Sequence, residues 1–218
     1  ARMASSRFPN KPMAIISGKP MIERVWRQAL LSKIGDVIVA CCEKEVFEHI
    51  TKIGGKAVMT DPRIASGTDR IYEVAKNLSN INEFDSIINL QGDMPIINHL
   101  DIEKVNLPLK QGFEIGTLST QLKNDQLNDE NVTKVKINWI VNKMIGEAED
   151  FFKKNDSSEY KNLYHHVGIY SFRLESLKKF VSIAPTDNEI NLKLEQLRAI
   201  DSKMTIGASY VKDVPISV

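Results

Sequence analysis

Only two cysteines occur in 218 residues, and they are adjacent, Cys41 and Cys42. Neighbouring cysteines bridge only under strain, and two thiols cannot complete a structural zinc site. They read as reduced thiols of a cytoplasmic protein. No apolar run is long enough to cross a bilayer and no signal peptide is read, so a stable membrane association has no support. A dominant charge is also missing. The 29 basic and 28 acidic residues leave a net charge of +1, which disfavours nucleic acid as a partner while leaving room for a small anionic ligand. No G-x-S-x-G elbow, Walker lysine motif or G-x-G-x-x-G turn is found, which removes the commonest hydrolase, P-loop and dinucleotide readings. Histidine is not clustered with cysteine or aspartate in any zinc-like spacing. Repeats, low-complexity tracts and linkers are likewise absent.

What is present is an ordinary globular composition, 42% hydrophobic and 26% charged, that suits one enzyme-sized domain. Short apolar runs at 36–42, 56–60 and 86–93 read as buried strands. Helical stripes separate them: Met21, Ile22, Val25, Trp26, Ala29 and Leu30 behind Pro20; Val46, Phe47, Ile50 and Ile53 ahead of Gly54 and Gly55; then Ile71, Val74, Ala75 and Leu78. This alternation predicts right-handed βαβ units. Further strands are expected at 114–122, 132–137, 164–172 and 204–211. Two helices belong between the last pair, the second carried by Ile190, Leu194 and Leu197. The stretch 138–150 keeps neither period, as though a segment were missing.

Three segments have chemistry in them. The opening "ARMASSRFPNKP" places Arg2, Arg7 and Lys11 among small residues and turn formers. A loop at the carboxyl edge of a parallel sheet can bring backbone N–H groups to a phosphate while such cations neutralise it; a solvated basic loop is the alternative. "NLQGDMP" (89–95) carries Asp93 in a turn after a strand, where a carboxylate suits Mg²⁺ or simply makes a turn. In "ASGTDR" (65–70), Ser66 is a competent helix cap, whereas Arg70 in a first helical turn opposes the helix dipole and suggests a ligand. His165 and His166 fall on one strand with opposite faces, one toward a core or pocket. Glu195 and Gln196 in "LEQLR" read by pattern alone as a solvated helix face.

Taken together and in order, "ARMASSRFPNKPMAIISGKPMIERV", "MTDPRIASGTDRI", "NLQGDMP", "HHVGIYSF" and "LEQLR" resemble the 3-deoxy-manno-octulosonate (Kdo) cytidylyltransferases across nearly the whole chain. The resemblance implies an α/β, Rossmann-like nucleotidyltransferase fold. A mostly parallel central sheet would be flanked by helices, with a smaller mixed or antiparallel dimerisation region. It implies one domain over 1–218, with a nucleotide-binding half to about 113 and a sugar-binding, dimerising half beyond it. The reaction implied is CTP plus Kdo giving CMP-Kdo and pyrophosphate for lipopolysaccharide synthesis, with Mg²⁺ as cofactor and a homodimer as the assembly. By position, Ala1, Arg2, Arg7, Lys11, Ser66 and Arg70 would bind nucleotide. Arg2, Lys11 and Asp93 would be catalytic, with Asp93 on the metal. Gln91, His166, Tyr170, Glu195 and Gln196 would line the sugar site.

Departures from the family pattern are expected to matter. A strand would precede Ala1, and a second metal aspartate would follow Val218, leaving Asp213 as a surface residue. The family's F-S-R segment corresponds to "FFKK", with Lys153 a single-point substitute for the arginine at the sugar carboxylate. Two alternatives remain: a CMP-sialic-acid-type synthetase, or a catalytically silent nucleotide-sugar binding protein of the same fold.

Overall fold

A computed structural model describes residues 10–64, 66–142, 144–154 and 161–212. Ala1, Arg2, Arg7 and Asp213 lie outside the described residues. The chain divides into two compact units.

The first unit takes residues 10–84 and 89–103 of those described. A hairpin of β1 (Ile15–Ile16) and β2 (Lys19–Pro20) turns through Ser17 and Gly18, both at positive φ (46° and 79°). There follow α1 (Met21–Ser32), β3 (Ile38–Cys41), α2 (Lys44–Lys52), β4 (Lys56–Met59) and α3 (Gly67–Ala75). Strands β3 and β4 pair in parallel, Ile38 opposite Lys56 and Cys41 opposite Met59, which is the expected βαβ unit. Its core gathers Ile22, Trp26, Val39, Cys41, Val46 and Ile50; removing side chains such as Ile50 from water contributes about 1.5–3 kcal/mol each. Helix α2 stops where Gly54 takes φ 86°, letting Gly54 N–H reach Thr51 O and Gly55 N–H reach Ile50 O at 3.0 and 2.8 Å. The α1 stripe is shorter than its pattern. Met21, Ile22, Val25 and Trp26 are buried, but Leu30 is exposed because the last turn runs past this core.

The second unit takes residues 85–88 and 104–212. Strand β5 (Ile87–Asn89) ends and helix α4 (His99–Lys104) begins among the first unit's residues; the second unit continues with α5 (Leu107–Lys110), β6 (Ile115–Gln121), β7 (Lys134–Val141), β8 (Ile145–Phe152) and β9 (Leu163–Phe172). Helices α6 (Leu174–Ser182), α7 (Asp187–Leu192) and α8 (Leu197–Asp201) precede β10 (Ile206–Tyr210). Six strands form one sheet in the order β5-β9-β6-β10-β8-β7, and a further β7–β9 pairing brings the last strand back to β9. Within it β6 and β10 run parallel, whereas β6–β9, β10–β8, β7–β8 and β7–β9 are antiparallel. The central sheet is therefore mixed where a mostly parallel one was expected. The hairpin β7–β8 occupies 134–152, and a short turn permits only antiparallel pairing. That hairpin also fills the stretch that seemed interrupted. One expected helix is two, because Lys193 takes a left-handed φ of 54° between α7 and α8.

Candidate active site

In the first unit, Lys11 opens a short 3₁₀ turn (Lys11–Met13) in which the buried Pro12 pre-sets the backbone. Asp93 lies in the turn following β5. Lys11 Nζ donates to Asp93 Oδ2 at 2.9 Å, with the two side chains 19% and 38% exposed. A cation and a hard oxygen ligand are thus held together within reach of solvent.

Helix α3 begins beside two further candidates. Ser66 Oγ accepts from Asp69 N–H at 3.0 Å and donates to Asp69 Oδ2 at 2.7 Å, so its hydroxyl is engaged as a cap. Arg70 is buried. Its guanidinium donates to Thr60 Oγ1, to Asp61 O at 3.4 Å and to Ile64 O at 3.1 Å, fastening residues 60–64 to α3. These acceptors are neutral; the Asp61 carboxylate lies close enough for Arg70 to help lower its pKa, after the larger effect of Arg63. Gly67 permits a close approach: a Cβ there would sit 3.1 and 3.2 Å from the Gln91 amide atoms. Thr68, which the sequence offers only as one of several competent helix caps, and Asn89, to which it assigns no role, are buried and joined by Asn89 Nδ2 to Thr68 Oγ1 at 3.0 Å. The signal was a lone asparagine closing the apolar run "SIIN".

The second unit holds a separate polar cluster. Strands β6 and β9 slip register by two residues between Thr117 and Leu118, so that Thr117 faces Tyr170 and Leu118 faces Val167. Thr117 Oγ1 lies 3.0 Å from His166 Nε2. His166 is buried against Phe151, ring centroids 4.9 Å apart; burial, with a smaller contribution from His165, pushes its pKa down to about 3. Tyr170 is also buried, which together with Glu195 raises its pKa and keeps the phenol protonated. Its hydroxyl donates to Gln196 Oε1 at 3.0 Å. Gln196 Nε2 is buried and has no partner among the described residues. Leaving a buried donor unpaired costs about 1–3 kcal/mol, and a bound ligand would relieve it.

Gln196 and the half-buried Glu195 do not lie on a solvated helix face. They occupy the turn between α7 and α8, with Gln196 leading into α8. Arg198 holds that turn: its Nε and Nη2 meet Glu189 Oε2 and Oε1 at 2.8 and 2.6 Å, and it lies 4.7 Å over the Phe180 ring. His165 has a buried Nδ1 without a partner among the described residues, and burial lowers its pKa. Opposite it in register is Lys134, whose side chain is buried and whose Nζ donates to Asp129 O at 2.5 Å and Lys153 O at 2.6 Å. Among the described residues, no group of three or more His, Cys, Asp or Glu could hold a metal ion, and no helix is long and apolar enough to cross a membrane.

The fold is that of a nucleotidyltransferase of the Rossmann-like α/β kind. A family model described as cytidylyltransferase matches residues 1–206. A 3-deoxy-manno-octulosonate cytidylyltransferase of Paramagnetospirillum magneticum is 40% identical over all of this chain and 89% of its own length. That of Rhodospirillum centenum is 37% identical over all of this chain and 86% of its own. The solved structure of CMP:2-keto-3-deoxy-manno-octonic acid synthetase complexed with CTP superposes with a TM-score of 0.87 at 31% identity, covering all of this chain and 90% of that one. The chain belongs to the cytidylyltransferase family.

Proposed function

We infer that this chain transfers the cytidylyl group of CTP to Kdo, releasing pyrophosphate. The observation that carries this reading is the full-length likeness to the synthetase complexed with CTP. The anomeric hydroxyl of Kdo attacks the α-phosphorus. A new P–O bond forms, the bond to the β-phosphate oxygen breaks in line, and the hydroxyl proton goes to solvent. Charge grows on the nonbridging and leaving oxygens, so cations already in position supply most of the acceleration. Lys11 is such a cation in this reading, joined by Arg2 and Arg7 of the opening segment, with Ala1 and Ser66 beside the nucleotide. Arg70 contributes the buried positive charge at α3.

The cofactor proposed is Mg²⁺. Asp93 suits it: a partly exposed carboxylate is a hard oxygen ligand, and this ion commonly takes one or two carboxylates plus substrate phosphates. When bound it would neutralise phosphate charge; Asp93 would hold it and Lys11 would turn from the carboxylate to the phosphates. His166, Tyr170, Glu195, Gln196 and Gln91 are proposed to meet the sugar, a role supported by the buried Gln196 Nε2, which has no partner among the described residues. A homodimer, a cytoplasmic location and a part in lipopolysaccharide synthesis complete the proposal.

The deciding experiment is pyrophosphate release with CTP and a panel of acidic sugars, Mg²⁺ present and absent. Turnover with Kdo and Mg²⁺ is expected. Turnover with sialic acid instead would overturn the sugar assignment, and none with any sugar would indicate a binding protein.

A further inference from the structure

Thr117 Oγ1 carries one proton and has three polar neighbours: Ile169 O at 2.8 Å, Val167 O at 3.4 Å and His166 Nε2 at 3.0 Å. Carbonyl oxygens only accept, and a hydroxyl turned away from Ile169 O would press two oxygens together without a proton between them. The hydroxyl therefore donates to Ile169 O, and its lone pair faces the histidine. His166 Nε2 must then be the nitrogen that carries hydrogen. In a neutral imidazole this leaves Nδ1 as a bare acceptor.

We propose that Thr117 is a positioning residue that locks His166 in its Nε2–H form, so that Nδ1 accepts a hydrogen bond from a hydroxyl of the sugar. This deepens the proposed sugar site and rests on it. A second locked group lies beside the first. The His166 and Tyr170 rings are 5.6 Å apart, and the Tyr170 hydroxyl, by donating to Gln196 Oε1, leaves Gln196 Nε2 as a donor. An acceptor and a donor fixed in one linked set match a hydroxyl-bearing ligand, since each hydroxyl gives one hydrogen bond and takes another. They do not match a carboxylate, whose oxygens only accept and would face the Nδ1 lone pair. This linked set therefore reads the polyol part of the substrate, and the acid group is bound elsewhere. Burial that keeps His166 uncharged fits the same division of labour.

Long-range ¹H–¹⁵N spectra of histidine-labelled protein at pH 7 test the lock directly, and His166→Gln identifies the signal among four histidines. The expected result is Nε2–H for the native protein and for Thr117→Ser, with Thr117→Val losing that single form. In kinetics, Thr117→Val should raise the Kdo KM about tenfold, as a lost buried hydrogen bond does. The CTP KM should stay within about twofold, and Thr117→Ser should restore the sugar KM. A native His166 protonated on Nδ1, or charged at pH 7, would overturn the proposal. So would an unchanged Kdo KM in Thr117→Val once the tautomer has moved. If the tautomer pattern holds but no acidic sugar turns over, the lock is supported and the proposed reaction is what fails.

Discussion

Lys11 and Asp93, 82 positions apart in sequence, meet at 2.9 Å. Because both are partly exposed, their attraction is screened, and such pairs contribute at most about 1 kcal/mol to folding. The prediction is that Lys11→Met lowers kcat by roughly a hundredfold or more, as loss of one transition-state donor does, while changing stability by less than about 1 kcal/mol. Paired thermal melts and pyrophosphate-release kinetics separate the two. A destabilised variant with native kcat would make the pair structural.

Arg198 and Glu189 behave in the opposite way. Both side chains are largely buried, 3% and 12% exposed, so removing one partner strands the other's charge. Arg198→Met should cost about 3–5 kcal/mol, and Glu189→Met with it should recover part of that loss. Where the single variant still folds, the Kdo KM should rise more than the CTP KM, because this pair braces the turn bearing Gln196. Urea melts and a two-substrate KM comparison are the measurements.

His166 also links stability to pH. Its pKa is lowered to about 3 in the folded chain, against about 6.5 unfolded. Between those values the unfolded chain binds more protons, so stability is complete above about pH 6.5 and falls as pH drops toward 3. The expected loss between pH 7.5 and pH 5 is roughly 2 kcal/mol from this group. His165, also lowered, acts in the same direction. His166→Gln should flatten the curve of unfolding free energy over that range; an unchanged curve would show that His166 is not neutral and buried in solution.

Lys134 joins two polar stretches through the carbonyls of Asp129 and Lys153. Lys134→Met preserves bulk yet removes the donor from both carbonyls; Asp129 O keeps the Val132 N–H at 3.1 Å, so the loss falls mainly on Lys153 O and should cost about 1–3 kcal/mol. Lys134→Arg, which keeps the donor, should cost less. Chemical denaturation of the two variants ranks them.

The order of apolar runs in the first ninety residues was legible because each strand is short and bounded by a helix of clear 3.6-residue period. Strand β8 was not. Its inward residues Ile145, Gly146, Ala148 and Phe151 shift phase at a register break against β7, which erases simple alternation. Ile190, Leu194 and Leu197 keep helical spacing although Lys193 breaks the helix between them; periodicity does not register one left-handed residue. The candidate site divides similarly. Asp93 and Lys11 stood out as charges in turns, and His166 as a histidine on a strand. The Thr117 contact depends on a two-residue slip between strands, and the Arg198 brace on a turn that no spacing rule contains.

Strand β7 pairs with β9 only through Lys134–Lys136 and Leu163–His165, yet that brief ladder turns β9, β6, β10, β8 and β7 into a ring. Where the ring is closed both edges of a strand are paired and no other chain can extend it; the open edge of β7 is left at Asn138–Val141, which among the described residues has β8 on one side only and is where such extension would begin. The amides of β6, β9 and β10 should also exchange with deuterium as one cooperative set, with the outer end of β7 exchanging sooner.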